Sequence, residues 1–219
     1  MNTKTLLMAL LIGLLMPWPS FAADDMQARL LDLQHRWAHI NYEIDGDDAQ
    51  AKAYEKLETQ ADALKQAYPD RADPLIWEGI ILSSHAGATG GLGALGLVKK
   101  ARKDFEKAIE IDPTAQKGSA HTSLGVLYYR TPGWPLAFGS NEKAQLHLRK
   151  ALQISPTSID ANYFYAEFLA DEKEDYRQAL TYIERAEKAP KRPDRPLADA
   201  GRHADLRALR RKVEAKLDD

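Results

Sequence analysis

The feature that most constrains the fold of this chain is a short spacing pattern that recurs along it. A small residue is followed four positions later by a bulky residue, three positions later by a second small residue, and then by a closing proline. Its copies are Ala101-Phe105-Ala108-Pro113, Ala144-Leu148-Ala151-Pro156 and, with the proline one position early, Ala179-Ile183-Ala186-Pro190. Steps of three and four place the first three residues on one face of a helix. The small residues let a neighbouring helix approach closely, and proline ends the helix because it cannot donate a backbone hydrogen bond.

The helix that precedes the second copy has its own pattern, Leu124-Gly125 followed by Tyr128. The two patterns together resemble the tetratricopeptide repeat (TPR), which is a pair of helices of ~34 residues. We therefore predict an all-α fold, a TPR-like α-solenoid of about four stacked antiparallel helix pairs with a C-terminal capping helix. The predicted organisation is a signal peptide over residues 1–22, a repeat domain over 23–190, and a basic connector with the capping helix over 191–219.

The first residues are typical of a secretory signal peptide. Lys4 is followed by an apolar run from Leu6 to Met16, and Ser20-Phe21-Ala22 places small residues at the −3 and −1 positions of a cleavage site. We expect cleavage after Ala22 and a periplasmic mature protein. The alternative is an uncleaved membrane anchor, but the run is short for crossing ~30 Å of hydrocarbon. Later stretches are not long and apolar enough to span, so the mature chain is not expected to cross the membrane.

Composition and motifs argue against several other classes of protein. The formal net charge is only −2, which does not indicate a nucleic-acid partner, and the absence of cysteine excludes disulfides and thiolate sites.

His35, His39 and Glu43 could share one helical face, but the glutamate that an H-E-x-x-H metal motif needs is missing. We interpret them as solvated or hydrogen-bonded side chains. No catalytic constellation, metal set or cofactor motif is complete, so a non-enzymatic protein without cofactors is predicted.

The glycine-rich segment Gly87–Gly96 contains a literal G-x-G-x-x-G at positions 91, 93 and 96, with the apolar residues 80–82 before it. A dinucleotide-binding turn has that outline when a strand precedes it and a helix follows. The residues after it, however, belong to the repeat pattern, and no alternating series of strands follows. We predict instead an enlarged loop between the two helices of one repeat.

The next repeat carries a second insertion, residues 131–139 (TPGWPLAFG), which we call the Trp134 loop. It makes the repeat about seven residues longer than the TPR pattern. Trp134 and Phe138 are costly to leave in water, so we expect them either to pack back on the stack or to cover an apolar cavity. The predicted binding residues are those of this loop and of the adjoining helical faces: Tyr129, Arg130, Trp134, Phe138, Tyr163 and Glu167.

After Pro190 the chain becomes basic and then helical again. Leu206, Leu209 and Val213 have helical spacing, and arginines stand at positions 202, 207, 210 and 211. Such a helix could bind an acidic partner or membrane phosphates. We favour a capping role, because repeat arrays need a terminal helix with a polar outer face.

Four segments together resemble a more specific family. They are GLGALG (91–96), LYYRTPGWPLAFG (127–139), DANYFYAEFL (160–169) and RPLADAGR (195–202). They are similar to the periplasmic T component linked to TRAP transporters (TatT-like proteins). The resemblance implies a non-enzymatic scaffold that meets a periplasmic protein partner, such as a substrate-binding protein, as an accessory to TRAP-type solute uptake. The alternative is a carrier that holds a small apolar ligand in a cavity under the Trp134 loop.

Overall fold

The computed structural model describes residues 20–218. Within this range the chain is mostly helical and contains no strand. Its helices are α1 (Ser20–Glu43), α2 (Asp47–Ala67), α3 (Ala72–Thr89), α4 (Ala94–Ile111), α5 (Ala115–Arg130), α6 (Asn141–Ile154), α7 (Ile159–Glu172), α8 (Tyr176–Glu187) and α9 (Pro196–Asp218). None of the helices in this range is long and apolar enough to cross a membrane.

Local sequence accounts for the limits of these helices, as α6 illustrates. The Ser140 side chain accepts a hydrogen bond from the backbone N–H of Lys143, which satisfies one of the free donors of the first turn. Ser158 and Asp175 cap α7 and α8 in the same way. Downstream, α6 ends at Ile154, two residues before Pro156. Short connections of this kind join most helices to an antiparallel neighbour, while the α5–α6 and α8–α9 connections are longer.

The helices pack in pairs, α1 with α2, α3 with α4, α5 with α6 and α7 with α8. The predicted close contacts are confirmed, since the alanines at 101, 108, 144 and 151 are all fully buried. Glycine allows an equally close approach on the opposing helix. A Cβ atom added at Gly125 would lie 2.7 Å from Leu148 Cγ, and one at Gly79 would lie 2.5 Å from Phe105 Cε1. The repeat pattern thus encodes the interface inside each pair.

The pairs stack because the second helix of each pair packs on the first helix of the next, α2 on α3, α4 on α5 and α6 on α7. The first helices also contact one another, α1 with α3, α3 with α5 and α5 with α7. The predicted last helix forms as α9 and packs on α7 and α8. It also reaches α1 at the other end of the stack. Five helices therefore surround a common interior: α1, α3, α5, α7 and α9.

The connection between α3 and α4 is shorter than the sequence predicts. The predicted loop Gly87–Gly96 is wrong in extent, because α3 continues to Thr89 and α4 starts at Ala94, so that only residues 90–93 connect them. Glycine has no side chain to clash inside a helix, and the burial of α3 outweighs the low helix propensity of glycine.

The predicted signal peptide lies outside the described residues, except for its last three residues, which form the first turn of α1.

Candidate functional site

The interior that these five helices surround contains a cavity of about 780 Å³, which α2 and α4 also line. This volume lies within the ~300–1,000 Å³ range of small-molecule sites. Its walls come from all four helix pairs, from the connector before α9 and from α9 itself. Leu92 and Leu136 belong to the wall and are 79% and 64% exposed, so the cavity meets solvent between the α3–α4 connection and the Trp134 loop.

One side of the cavity is aromatic. Trp37 of α1 and Trp77 of α3 meet edge to face, with ring centroids 5.9 Å apart. The Trp37 indole N–H donates to Ser84 Oγ at 2.9 Å, which fixes its ring against α3. Ile80, Val98 and Leu127 continue the apolar surface. These side chains offer a ligand dispersion and hydrophobic contacts rather than hydrogen bonds.

Four of the six predicted binding residues form one hydrogen-bonded cluster between α5 and α7. The Glu167 carboxylate accepts from the hydroxyl of Tyr129, from the guanidinium of Arg130 and, at 3.0 Å, from the hydroxyl of Tyr163. Burial alone would raise the pKa of Glu167, but the Arg130 charge and these three donors outweigh it and hold the pKa below its usual value. Of this cluster, Arg130 is the member that lines the cavity. The cluster therefore fixes α5 to α7 through a charged carboxylate beside the cavity.

The two loop residues differ in their placement. Phe138 packs back on the stack, which was one of the two expected placements, and its ring lies edge to face on Tyr128 at 5.8 Å with the Arg102 guanidinium 4.9 Å away. Trp134 is 90% exposed and lies outside the cavity wall. The other expectation, that the two rings cover the cavity, is corrected, because Pro132 and Leu136 line it instead.

The reason lies in the base of the Trp134 loop. The Gly139 N–H donates to the Pro132 carbonyl at 2.9 Å, and a Cβ atom at Gly139 would lie 1.9 Å from the Thr131 carbonyl oxygen. Because the two arms of the loop are joined this closely, the tip that carries Trp134 points away from the stack.

A second charged network joins α7, α9 and the connector. The Asp160 carboxylate accepts from Arg192 Nη1 at 2.7 Å and from Arg202 Nε at 2.8 Å. Arg202 also donates to Asp205 at 2.9 Å, and Asp205 accepts from the Tyr42 hydroxyl of α1 at 3.3 Å. Although burial opposes it, the two guanidinium groups hold the pKa of Asp160 well below its usual range. This network attaches α9 to both ends of the stack.

The histidines considered as metal ligands are engaged elsewhere. His35 Nε2 donates to the backbone carbonyl of Asp194 at 2.6 Å, and His39 Nδ1 lies 2.6 Å from Glu43 Oε2. No group of three possible metal ligands occurs among the described residues. Residues 80–82 and 108–112, which a dinucleotide site would need as strands, lie in or at the end of helices α3 and α4.

Several side chains of this site carry no local signal of their own in the sequence, above all Trp37, Trp77, Asp160 and Arg195. The sequence feature that points to them is the segment RPLADAGR (195–202). Its arginines, its aspartate and its glycine either contact other parts of the fold or line the cavity. These roles could not be predicted from the segment, because most of the residues that it contacts lie far away in the sequence.

Stacked helix pairs with alanine-lined interfaces, closed around a cavity, define a TPR-like helical repeat protein. The solved structure of a thermophilic TPR protein in Thermus thermophilus is similar, with a TM-score of 0.51, 16% identity, and coverage of 75% of this chain and 80% of that one. The crystal structure of MamA is also similar, with a TM-score of 0.44 and 16% identity over 80% of this chain and 96% of that one. No curated protein sequence matches the chain.

The family is shown by the sequence itself. Residues 23–214 match the TRAP transporter T-component family, and the chain belongs to that family. The matched range covers all four helix pairs and most of α9.

Proposed function

We propose that this chain is a periplasmic, non-enzymatic accessory protein of a TRAP-type solute uptake system, in which it acts as a scaffold that docks a substrate-binding protein. The family match over residues 23–214 carries this proposal. The predicted signal peptide supports the compartment, and the TPR-like fold supports the scaffold role, because helical repeats present extended binding surfaces.

The Trp134 loop is the surface that we assign to the partner. A large aromatic side chain that is 90% exposed is unusual on a monomer surface unless it serves an interaction. Tryptophan is also among the residues most enriched at the energetic centres of protein interfaces. Leu92 and Leu136 extend this apolar surface along the rim of the cavity. A partner docked there would cover the opening.

The test is affinity capture from periplasmic extract, followed by titration with the purified partner. We expect the captured protein to be a TRAP substrate-binding protein, and we expect Trp134→Ala to weaken its binding at least tenfold, which is ~1.4 kcal/mol. The matched control is Leu146→Ala, because Leu146 is also an exposed apolar side chain but lies on α6, outside the loop. Capture of unrelated proteins only, or equal binding by both variants, would contradict the proposal.

A second candidate function is that of a carrier, and the cavity of about 780 Å³ favours it. An aromatic and aliphatic wall of this size suits a small apolar or amphiphilic molecule. Native mass spectrometry of protein purified from periplasm tests this function. A stoichiometric small molecule is expected on the wild type and should be absent from Val98→Trp, in which the added indole fills part of the cavity.

A further inference from the structure

Arg195 occupies an unusual position in the wall of the cavity. It lies in the connector just before α9, and its guanidinium carbon stands 5.0 Å from the centre of the Trp77 ring. Among the residues that the structure describes, no carboxylate lies within ion-pairing distance of it, and its buried Nε–H has no acceptor. The side chain therefore lines the cavity as a cation that rests on the Trp77 ring and has no carboxylate paired with it in the described part of the chain.

The neighbouring arginines differ from it in this respect. Arg192 and Arg202 both pair with Asp160, and Arg192 also donates to Asp199 at 2.6 Å. Arg195 feels these acids and Asp194 only at longer range. Burial and the charge of Arg192 outweigh them and lower the pKa of Arg195 from its usual value. Arg195 is partly buried, with its Nε fully so. Since a charge removed from water without a partner is costly, a bound anion would stabilise this side chain.

The surroundings of Arg195 indicate what else such a ligand needs. The indole N–H of Trp77 is a second buried donor without an acceptor. Beyond the two groups the wall becomes apolar, through Trp37, Ile80 and Val98. A molecule that satisfies both regions has an anionic group at one end and a hydrocarbon chain at the other.

We propose that the cavity binds an anionic amphiphile, with its carboxylate or phosphate group on Arg195 and its apolar chain along Trp37, Trp77 and Ile80. A guanidinium suits both anions, because its planar array of donors matches their oxygens. This inference rests on the carrier function proposed above and specifies the chemistry of its ligand.

The experiment is isothermal titration calorimetry on the full mature protein after bound lipid has been removed. The probes are decanoate, decyl phosphate and decan-1-ol, which share one chain and differ in the head group. At least one of the two anions is expected to bind the wild type tenfold or more tightly than the alcohol. The stronger of the two anions identifies the head group.

Variants of Arg195 test the contact itself. Arg195→Gln should lower the affinity for the preferred anion at least tenfold and leave decan-1-ol binding unchanged, while Arg195→Lys should retain part of the anion affinity. The control Arg207→Gln removes an exposed arginine from α9 and should bind like the wild type. Circular dichroism establishes that each variant is folded.

The outcomes separate this inference from the proposed carrier function. Equal binding of the acid, the phosphate and the alcohol to the wild type overturns the role of Arg195 and leaves the carrier in place. Unchanged anion binding by a folded Arg195→Gln variant likewise overturns the role of Arg195 and leaves the carrier function in place. If none of the three probes binds, both proposals for the cavity are overturned, while the scaffold function is unaffected.

Discussion

Individual residues in this protein show how burial changes side-chain chemistry, and the pair His121 and His147 shows it most directly. The two Nδ1 atoms lie 2.9 Å apart between α5 and α6, and the Tyr128 ring stacks on His147 at 5.7 Å. His121 is only 7% exposed. Burial, aided by the nearby charges of His147 and Lys150, lowers the pKa of His121 to about 4, and burial also lowers the pKa of His147.

This pair makes stability depend on pH. The folded-state pKa of His121 lies below its ordinary value of 6.5, so the fold favours the neutral ring. The resulting stabilisation is complete above about pH 6.5 and is lost as the pH falls towards 4. We expect the free energy of unfolding to drop by on the order of 2 kcal/mol between pH 7 and pH 4.5 through this group.

Urea unfolding at the two pH values measures the effect. His121→Gln should show a smaller drop than the wild type, whereas Gln153→Asn, which changes an exposed side chain without a charge on α6, should show the wild-type drop. An equal drop in all three proteins would mean that the buried pair does not titrate as described.

At the scale of elements, the contact of α6 with α5 depends on small residues in the repeat pattern. Ala144 and Ala151 are fully buried, and Leu148 between them fits against Gly125. The helix presents this stripe inward and keeps Gln153 on its outer surface. A phenylalanine introduced on the inner face should therefore destabilise the protein far more than one introduced on the outer face.

Ala151→Phe should overpack the helix pair and destabilise the protein by about 1–3 kcal/mol or more. Gln153→Phe adds the same ring to the exposed face of α6 and should change stability by less than ~0.5 kcal/mol. Thermal unfolding followed by circular dichroism compares the two. A thermal midpoint for Ala151→Phe that matches the control would contradict the helix register described here.

At the scale of the whole molecule, the contact of α9 with α1 turns an open stack into a closed one. Gly201 makes this approach possible, because a Cβ atom there would lie 2.4 Å from the ring of Tyr42. Tyr42 in turn donates to Asp205, within the network that holds Asp160 and Arg202. The closure thus depends on one glycine and one partly buried group of charges.

We expect Gly201→Ala to force α9 away from α1, to lower the thermal midpoint, and to cost about 1–3 kcal/mol. Hydrogen exchange should then accelerate in α1 and α9 but not in the α5–α6 pair. The control is Gly96→Ala in α4, where the added methyl group meets nothing within 4 Å and should be neutral or stabilising. Equal protection of α1 in both variants would contradict a closure that depends on Gly201.

The sequence by itself determined the repeat architecture of this protein. The repeat pattern places an alanine, a bulky residue and a second alanine at steps of four and three, and a proline follows. This pattern specifies a helix, its buried face and its end, because the interactions involved act within one or two helical turns. For the same reason the central pairs could be located from Ala101, Ala108, Ala144 and Ala151, all of which are buried. The family resemblance carried by RPLADAGR and the other quoted segments was confirmed.

Only the tertiary structure decided where the site lies. Asp160 and Arg202 meet, and Arg195 reaches Trp77, because α9 crosses back to α1, and no local pattern encodes that crossing. The orientation of Trp134 depends on the hydrogen bond between the two arms of its loop rather than on its own preference for apolar surroundings. The cavity lies between helices of all four pairs and α9, so it depends on their relative positions. Long-range packing sets those positions, and the periodicity of any one helix does not contain them.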